Sequence, residues 1–298
     1  MAGGCAACGS SRLRAHLSVG GDPGVQGLIP TTDMYGTALD DIVACESCGH
    51  MQLERLPAEE SLLDLYEAAE SGDYVEEERG QRVTAQAALE RIERWAPGRG
   101  RLLDLGCWVG FLLAEARERG WDTIGVEPSA FASAYARDRL GLDVRRDGLF
   151  TADLPEASFD AVVLGDVIEH LVDPGRALER IAGLLRPGGV VYLALPDAGS
   201  ALARRLGPRW WSVIPTHVQY FTRASLLGLL ERRGFEPLWA GTAPKTFSVR
   251  YYLWRLRGYS PALSDSLIGL ARAAGAADRL WTPDLRDRMA VVARLAGA

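Results

Sequence analysis

An α/β fold, with a parallel sheet covered by helices on both faces, is predicted by the chain from Arg101 onward, where short apolar runs alternate with longer amphipathic ones. A second observation is a loop flanked by Gly106 and Gly110, standing between the first such run and the first amphipathic segment. A third is a pair of Cys-x-x-Cys strings ahead of this region, which sets residues 1–56 apart as a small module of their own.

Taken in order, residues 1–56 lack a sustained period and carry a Gly/Pro-rich stretch from Gly20 to Pro30. Residues 57–97 read as a helical linker: Leu62, Leu63, Leu65 and Tyr66 precede an acidic run, and Ala85, Ala88, Leu89 and Ile92 recur at helical spacing before Pro97 and Gly98. Residues 98–298 form the main domain. Strands are expected at Leu102–Leu105, Thr123–Glu127, Phe159–Leu164 and Val190–Leu195. Helices are expected at Phe111–Arg119, at Ala130–Leu140 behind a Ser129 cap, and at Pro174–Leu185 with proline in its first turn. Thr222 caps a further helix through Arg233, Phe235–Ala240 is a strand, residues 247–280 are largely helical, and Met289–Ala293 is the last strand.

The bulk composition bounds the function. At 298 residues and 48% hydrophobic content the chain can bury a large α/β core plus a small module. A net charge of -6 argues against a general nucleic-acid binder. No apolar run reaches membrane-spanning length, and the N-terminus lacks the charged start and apolar core of a secretory signal. A cytoplasmic location is expected, where five cysteines point to metal or thiol chemistry rather than disulfides.

In Leu103-Asp104-Leu105-Gly106-Cys107-Trp108-Val109-Gly110 the two glycines let the backbone pass close to a ligand at a helix N-terminus. Glu127 ends the next strand, where a carboxylate accepts both hydroxyls of a ribose. Asp104 suits a cationic ligand end better than a pyrophosphate, and the Gly-x-x-x-Gly spacing is not that of the dinucleotide fingerprint.

With Val126-Glu127-Pro128, Asp166-Val167-Ile168-Glu169-His170-Leu171 and Arg186-Pro187-Gly188-Gly189, the stretch from about Arg101 to Arg294 resembles the class I S-adenosylmethionine-dependent methyltransferases. The resemblance implies a seven-stranded, doubly wound, Rossmann-like sheet with a reversed last strand, and an insertion at about 247–280 of the kind that covers substrate. It implies S-adenosyl-L-methionine as cofactor, with Asp104, Gly106, Cys107, Trp108 and Gly110 around its methionine part. Glu127 and Pro128 would then lie at the ribose, Gly148 and Leu149 at the adenine, and Asp166 at the amino-acid end. Trp108 departs from the family, which has glycine there.

Cys5, Cys8, Cys45 and Cys48 are expected to hold a structural zinc as four thiolates, each pair followed by a turn-forming glycine. His50 is a candidate substitute ligand but reads first as a surface residue. Similar zinc knuckles, a Tyr-containing helical linker and this core recur together in bacterial enzymes that methylate sugars or other secondary metabolites.

His170 and His217 are the candidate bases for a hydroxyl acceptor, with Asp166 and Glu169 beside His170. The Asp166, Glu169 and His170 string is similar to one that binds a divalent cation in ubiquinone-pathway O-methyltransferases, which makes Mg²⁺ there a lesser reading. Trp210, Tyr220 and Phe221 either face a flat acceptor or pack a lid, and Arg250–Arg255 either packs or touches a membrane surface peripherally. The leading reading is O-methylation of a small-molecule acceptor. RNA methylation and non-catalytic cofactor binding are the alternatives.

Overall fold

The structure, a computed structural model, describes residues 4–19, 35–67 and 75–296. The Gly20–Pro30 stretch and residues 68–74 of the linker lie outside the described residues.

Strands β1 (Leu13–Leu17), β2 (Ile42–Cys45) and β3 (Met51–Leu53) pair antiparallel in sequence order. Each cysteine pair occupies a tight turn: Gly9 donates to the Cys5 carbonyl at 2.7 Å and Gly49 to the Cys45 carbonyl at 2.9 Å. Both glycines are left-handed, with φ of 76° and 71°, a conformation costly for residues with a Cβ.

Helix α1 (Glu59–Glu67) precedes α2 (Glu78–Glu93), whose buried Ala88, Leu89 and Ile92 join one face of the main core. Near the start of α2 the backbone of residues 246–247 comes very close to Gly80. A Cβ there would stand 2.4 Å from the Thr246 carbonyl oxygen and 2.9 Å from Phe247 Cα. Gly80→Ala should therefore lower stability by about 1–3 kcal/mol through overpacking. An exposed helical glycine would instead gain roughly 1 kcal/mol on the same change. Denaturant unfolding with a lowered midpoint and an unchanged slope checks the sign.

From here strands and helices alternate: β4 (Arg101–Leu105), α3 (Phe111–Glu118), β5 (Asp122–Val126), α4 (Ala130–Leu140), β6 (Val144–Arg145), β7 (Phe159–Gly165), α5 (Pro174–Leu184) and β8 (Leu185–Pro196). In β4, Leu103 and Leu105 enter one core layer and Leu102 the other, as the strand's period of two requires of a sheet covered on both faces. The expected Ser129 cap is in place, accepting from Ala132 N, and the structure adds a cap ahead of Pro174, where Asp173 accepts from Arg176 N. β8 begins five residues earlier than expected, because Leu185 already pairs with Phe159 before a register shift.

The chain continues through α6 (Ala201–Leu206), β9 (Gln219–Tyr220), α7 (Arg223–Arg232), β10 (Phe235–Thr242), β11 (Phe247–Ser248), α8 (Val249–Trp254), α9 (Pro261–Ala273), β12 (Leu280–Trp281) and β13 (Arg288–Leu295). Thr222 and Ser225 form a reciprocal capping box on α7. The segment expected as helical at 247–280 is helical in its middle, and its ends pair as β11 and β12. Tyr251 of α8 is buried, and Arg250 pairs with Glu76 and Glu77, so this face packs onto the chain itself.

The main sheet has the order β10-β13-β8-β7-β4-β5-β6. β4, β5, β6, β7 and β8 pair parallel, while β13 runs antiparallel between β8 and β10. This is the doubly wound seven-stranded sheet with a reversed strand. The order reverses between β4 and β7, so ligands are expected beyond their carboxyl ends. β9 does not join this sheet. It pairs with β3 and completes a four-stranded sheet, β1-β2-β3-β9, that joins the cysteine module to the large domain. Among the described residues no helix is long and apolar enough to cross a membrane.

Candidate active site and metal centre

The loop after β4 contains three left-handed residues: Gly106 (φ 73°), Trp108 (φ 49°) and Gly110 (φ 84°). Gly106 N and Cys107 N both donate to the Val126 carbonyl, at 2.8 and 3.2 Å, which ties the loop to the end of β5. Trp108 pays a backbone cost that glycine would not. Its N–H is fixed by Glu127 Oε2 at 2.8 Å, and its ring turns toward Phe131, 6.3 Å away, forming a wall. Glu127 Oε1 takes a second backbone N–H, from Ser129, at 2.8 Å. Two ordered donors hold the carboxylate at the strand end, and each oxygen keeps a lone pair free for a ligand hydroxyl. Burial raises Glu127 to about 7, and burial followed by the Glu127 charge raises Asp104 to about 7.

A cavity of about 140 Å³ opens at the ends of β4, β7 and β8. Asp104, Gly106, Cys107, Trp108 and Asp166 line it, with Thr84 and Arg91 from α2, and Lys245 and Arg288 opposite. Gly110, Glu127, Pro128, Gly148 and Leu149 do not line this cavity. Gly110 closes the loop, Glu127 and Pro128 lie just past β5, and Gly148 and Leu149 follow β6. The donor set fits S-adenosylmethionine: an acid and a glycine at the cavity, then a buried carboxylate one strand along.

Past β7 the chain makes a short 3₁₀ turn, Ile168–His170. It brings His170 against His217, with ring centroids 4.7 Å apart in an edge-on arrangement. His170 Nδ1 lies 2.8 Å from the Thr216 carbonyl and His217 Nδ1 lies 2.8 Å from that of Ser212. A carbonyl only accepts, so both Nδ1 atoms carry the proton and both Nε2 atoms present a lone pair. Burial lowers His170 to about 4; burial, then neighbouring His170, takes His217 well below its ordinary value. Neither side-chain oxygen of buried Glu169 has a partner among the described residues, and burial, then Asp166, raises it to about 8. Tyr66 of α1 also reaches His170 Nδ1 through its hydroxyl. Tyr66 is not among the site residues expected from the sequence, although it closes the Leu62, Leu63, Leu65 and Tyr66 set as the member with a polar tip.

Glu169, His170 and His217 bring their ligand atoms within 4.8 Å of one another. Asp166 is not in that group, which corrects the expected Asp166, Glu169 and His170 set. Its two oxygens face Arg288 and Lys245, the latter at 2.5 Å. Burial alone would raise Asp166, but these cations hold it well below the usual carboxylate range. Two imidazoles and one carboxylate are a poor donor set for Mg²⁺, which prefers oxygen. Trp210, Tyr220 and Phe221 are all buried, so they pack the segment and offer no open acceptor face.

At the other centre Cys5, Cys8, Cys45 and Cys48 place their sulfurs within 4.8 Å of one another. The Cys5–Cys48 and Cys8–Cys45 sulfurs are each 3.6 Å apart, far beyond a disulfide. Four thiolates about 2.3 Å from a shared zinc would be spaced by about 3.8 Å, so the set fits a closed tetrahedral site. His50 is not a surface residue: it is fully buried, its Nε2 is 2.8 Å from Gln219 Oε1, and its ring lies on Phe221.

A family profile described as "Methyltransferase domain" matches residues 76–239, more than half of the chain. A probable S-adenosylmethionine-dependent methyltransferase of Mycolicibacterium smegmatis is 32% identical over 155 residues, 51% of this chain and 57% of that protein. A ubiquinone biosynthesis O-methyltransferase of Rhodopseudomonas palustris is 36% identical over 118 residues, 36% of this chain and 46% of that protein. The chain thus spans about half the length of these curated relatives. Among solved structures, a SAM-dependent methyltransferase from Archaeoglobus fulgidus superposes with a TM-score of 0.52 at 20% identity, over 75% of this chain and all of that one. The Burkholderia thailandensis 1,6-didemethyltoxoflavin-N1-methyltransferase superposes at 0.51 and 19% identity, over 84% and 96%. With the profile match on this seven-stranded fold, the chain belongs to the class I S-adenosylmethionine-dependent methyltransferases.

Proposed function

We propose that this chain transfers the methyl group of S-adenosylmethionine to a hydroxyl of a small-molecule acceptor, a sugar, a lipid-linked compound or a secondary metabolite, and that its four cysteines hold a structural zinc. The observation that carries the reading is the pair of half-buried His170 and buried His217, each with Nδ1–H on a carbonyl and Nε2 free; neither lines the cavity beneath the glycine loop, but His170 follows the cavity residue Asp166 by four positions. The cofactor, when bound, supplies an electrophilic methyl on a sulfonium. One Nε2 would then take the proton of the acceptor O–H as that oxygen accepts the methyl and the thioether S-adenosylhomocysteine leaves. Methylation of oxygen is also what the names of the Rhodopseudomonas relatives state. The net charge of -6 disfavours an RNA acceptor. Four reduced thiols suit a cytoplasmic location.

Calorimetric titration of zinc-replete protein with S-adenosylmethionine and S-adenosylhomocysteine, followed by labelled methyl transfer to a panel of hydroxylated acceptors, tests this. Binding by both and transfer to oxygen are expected. His217→Ala or His170→Ala should cut turnover by about 10²–10⁴ with cofactor affinity unchanged. Only the neutral imidazole accepts a proton, and burial takes His170 to about 4. Turnover should therefore hold from pH 8 to 6 and decline only toward that value, not at the usual 6.5. Folded, zinc-replete protein that binds neither cofactor form would sink the reading.

A further inference from the structure

Lys245 is the chain's single lysine, and it lines the same cavity as Arg91 and Arg288. Three cations at one cavity run against the balance of a chain with a net charge of -6. Two acids share that lining, Asp166 and Asp104. Asp166 is ionised but divides its oxygens between Lys245 and Arg288, while Asp104, raised by burial to about 7, is only partly charged at neutral pH. Glu169 and Asp287 also act on Arg288, yet neither lines the cavity, and Glu169 is raised by burial to about 8.

The side chains of Lys245 and Arg288 are 23% and 19% exposed, so two largely desolvated cations share one carboxylate. Buried charge is costly unless paired. Arg288 also has a donor to spare: its Nε is buried and has no partner among the described residues. An oxyanion that meets Arg288 Nε–H and a remaining Lys245 N–H would satisfy the orphaned donor and the surplus charge together.

The place of these cations associates them with the acceptor. Lys245 sits on the link from β10 to β11, where the insertion begins, and Arg288 starts β13 just after the insertion ends. Asp166, which both cations hold, stands just past β7 and leads in four residues to His170, so the chain joins this group directly to the candidate bases. Resting on the methyltransfer reading, we infer that the methyl acceptor is an anion, and that its carboxylate or phosphate docks on Lys245 and Arg288 beside the histidines.

The test uses protein saturated with S-adenosylhomocysteine, titrated at constant ionic strength with inorganic phosphate, benzoate and, as an uncharged counterpart of benzoate, benzamide. Melting temperature and homocysteine-form affinity are both followed. A saturable rise with phosphate or benzoate and none with benzamide is expected, with nucleoside affinity unchanged. Lys245→Met should weaken anion binding by tenfold or more, and Lys245→Arg should restore most of it. Anions that compete with S-adenosylhomocysteine would assign the cations to the cofactor's own carboxylate and overturn the inference. So would the absence of any saturable anion effect, or tenfold weaker S-adenosylhomocysteine binding by Lys245→Met. If S-adenosylhomocysteine itself does not bind, the methyltransfer reading has failed, and that outcome is read before any anion is added.

Discussion

Glu127→Ala should weaken binding of S-adenosylmethionine and S-adenosylhomocysteine by about 100-fold or more while leaving the far-ultraviolet circular dichroism unchanged. In the proposed complex the Glu127 carboxylate takes two ribose hydroxyls. Each hydrogen bond to a charged group contributes about 1.5–3 kcal/mol. Two come to roughly 3–6 kcal/mol, and each 1.4 kcal/mol is about tenfold in affinity. The same change removes the acceptor for Trp108 N and Ser129 N. Trp108 then holds its left-handed backbone without its anchor, so the glycine loop should relax as well. Calorimetry on the variant, with thermal unfolding as the fold control, checks this. A variant that stays folded and binds within threefold of the parent overturns the role. The pH dependence gives a second reading. Asp104 and Glu127 both stand at about 7 in the free protein, so each is partly protonated there. A cationic ligand end beside Asp104 favours the carboxylate, so binding releases protons and strengthens as pH rises from 6 to 8. Because Glu127 is one cause of the Asp104 shift, Glu127→Ala should flatten that slope.

What is legible in the sequence follows from which forces are local. β4, its loop and α3 declare themselves because a strand buried on both faces reads as a largely apolar run, and a left-handed turn favours glycine, as at Gly106 and Gly110. Ser129 and Thr222 are equally readable, since a cap bonds an amide two or three residues on. Pairings across the chain leave no such mark. Asp166 stands three residues before Glu169, and spacing alone groups it with Glu169 and His170. The left-handed backbone of Asp166 and the cations Lys245 and Arg288 turn it elsewhere. His217 comes to His170 only through a loop that follows β8, and Tyr66 only through a helix that precedes the sheet. A strand of two residues, β9, has too few positions to show a period, and its partner β3 lies far back in the chain. That same pairing buries His50, which local polarity placed at the surface.

The β3–β9 contact also sets what loss of the proposed zinc should do. Replacing Cys45 and Cys48 together by serine should lower the melting temperature by about 10 °C or more, corresponding to several kcal/mol for a chain of this size. Cys5, Ala7 and Cys45 belong to the same buried cluster as Phe221, Leu226 and Leu230, and Arg232 of α7 donates to the Ala7 carbonyl at 2.8 Å, so the knuckles are part of the main core. A metal bound only by the folded state adds its binding free energy to folding. The effect should reach the acceptor side before the cofactor side. Cys48 leads through Gly49 to His50, whose ring bonds Gln219. Gln219 Nε2 in turn donates to the carbonyls of Leu171 and Val172, each at 3.2 Å. Beside it Leu53 N donates to Val218 O at 3.1 Å and Val218 N to Glu169 O at 3.0 Å. Glu169, His170 and His217 are thus fixed from the cysteine module, whereas Asp104, the glycine loop and Glu127 are fixed from β4 and β5. At a temperature where the double variant remains folded, cofactor affinity should change by less than about threefold while methyl transfer falls by about tenfold or more, since misplacing a reacting group by 1 Å costs on this order or more. Equal losses in cofactor binding and in transfer would instead mean that the module stabilises the whole domain without any special hold on the histidines.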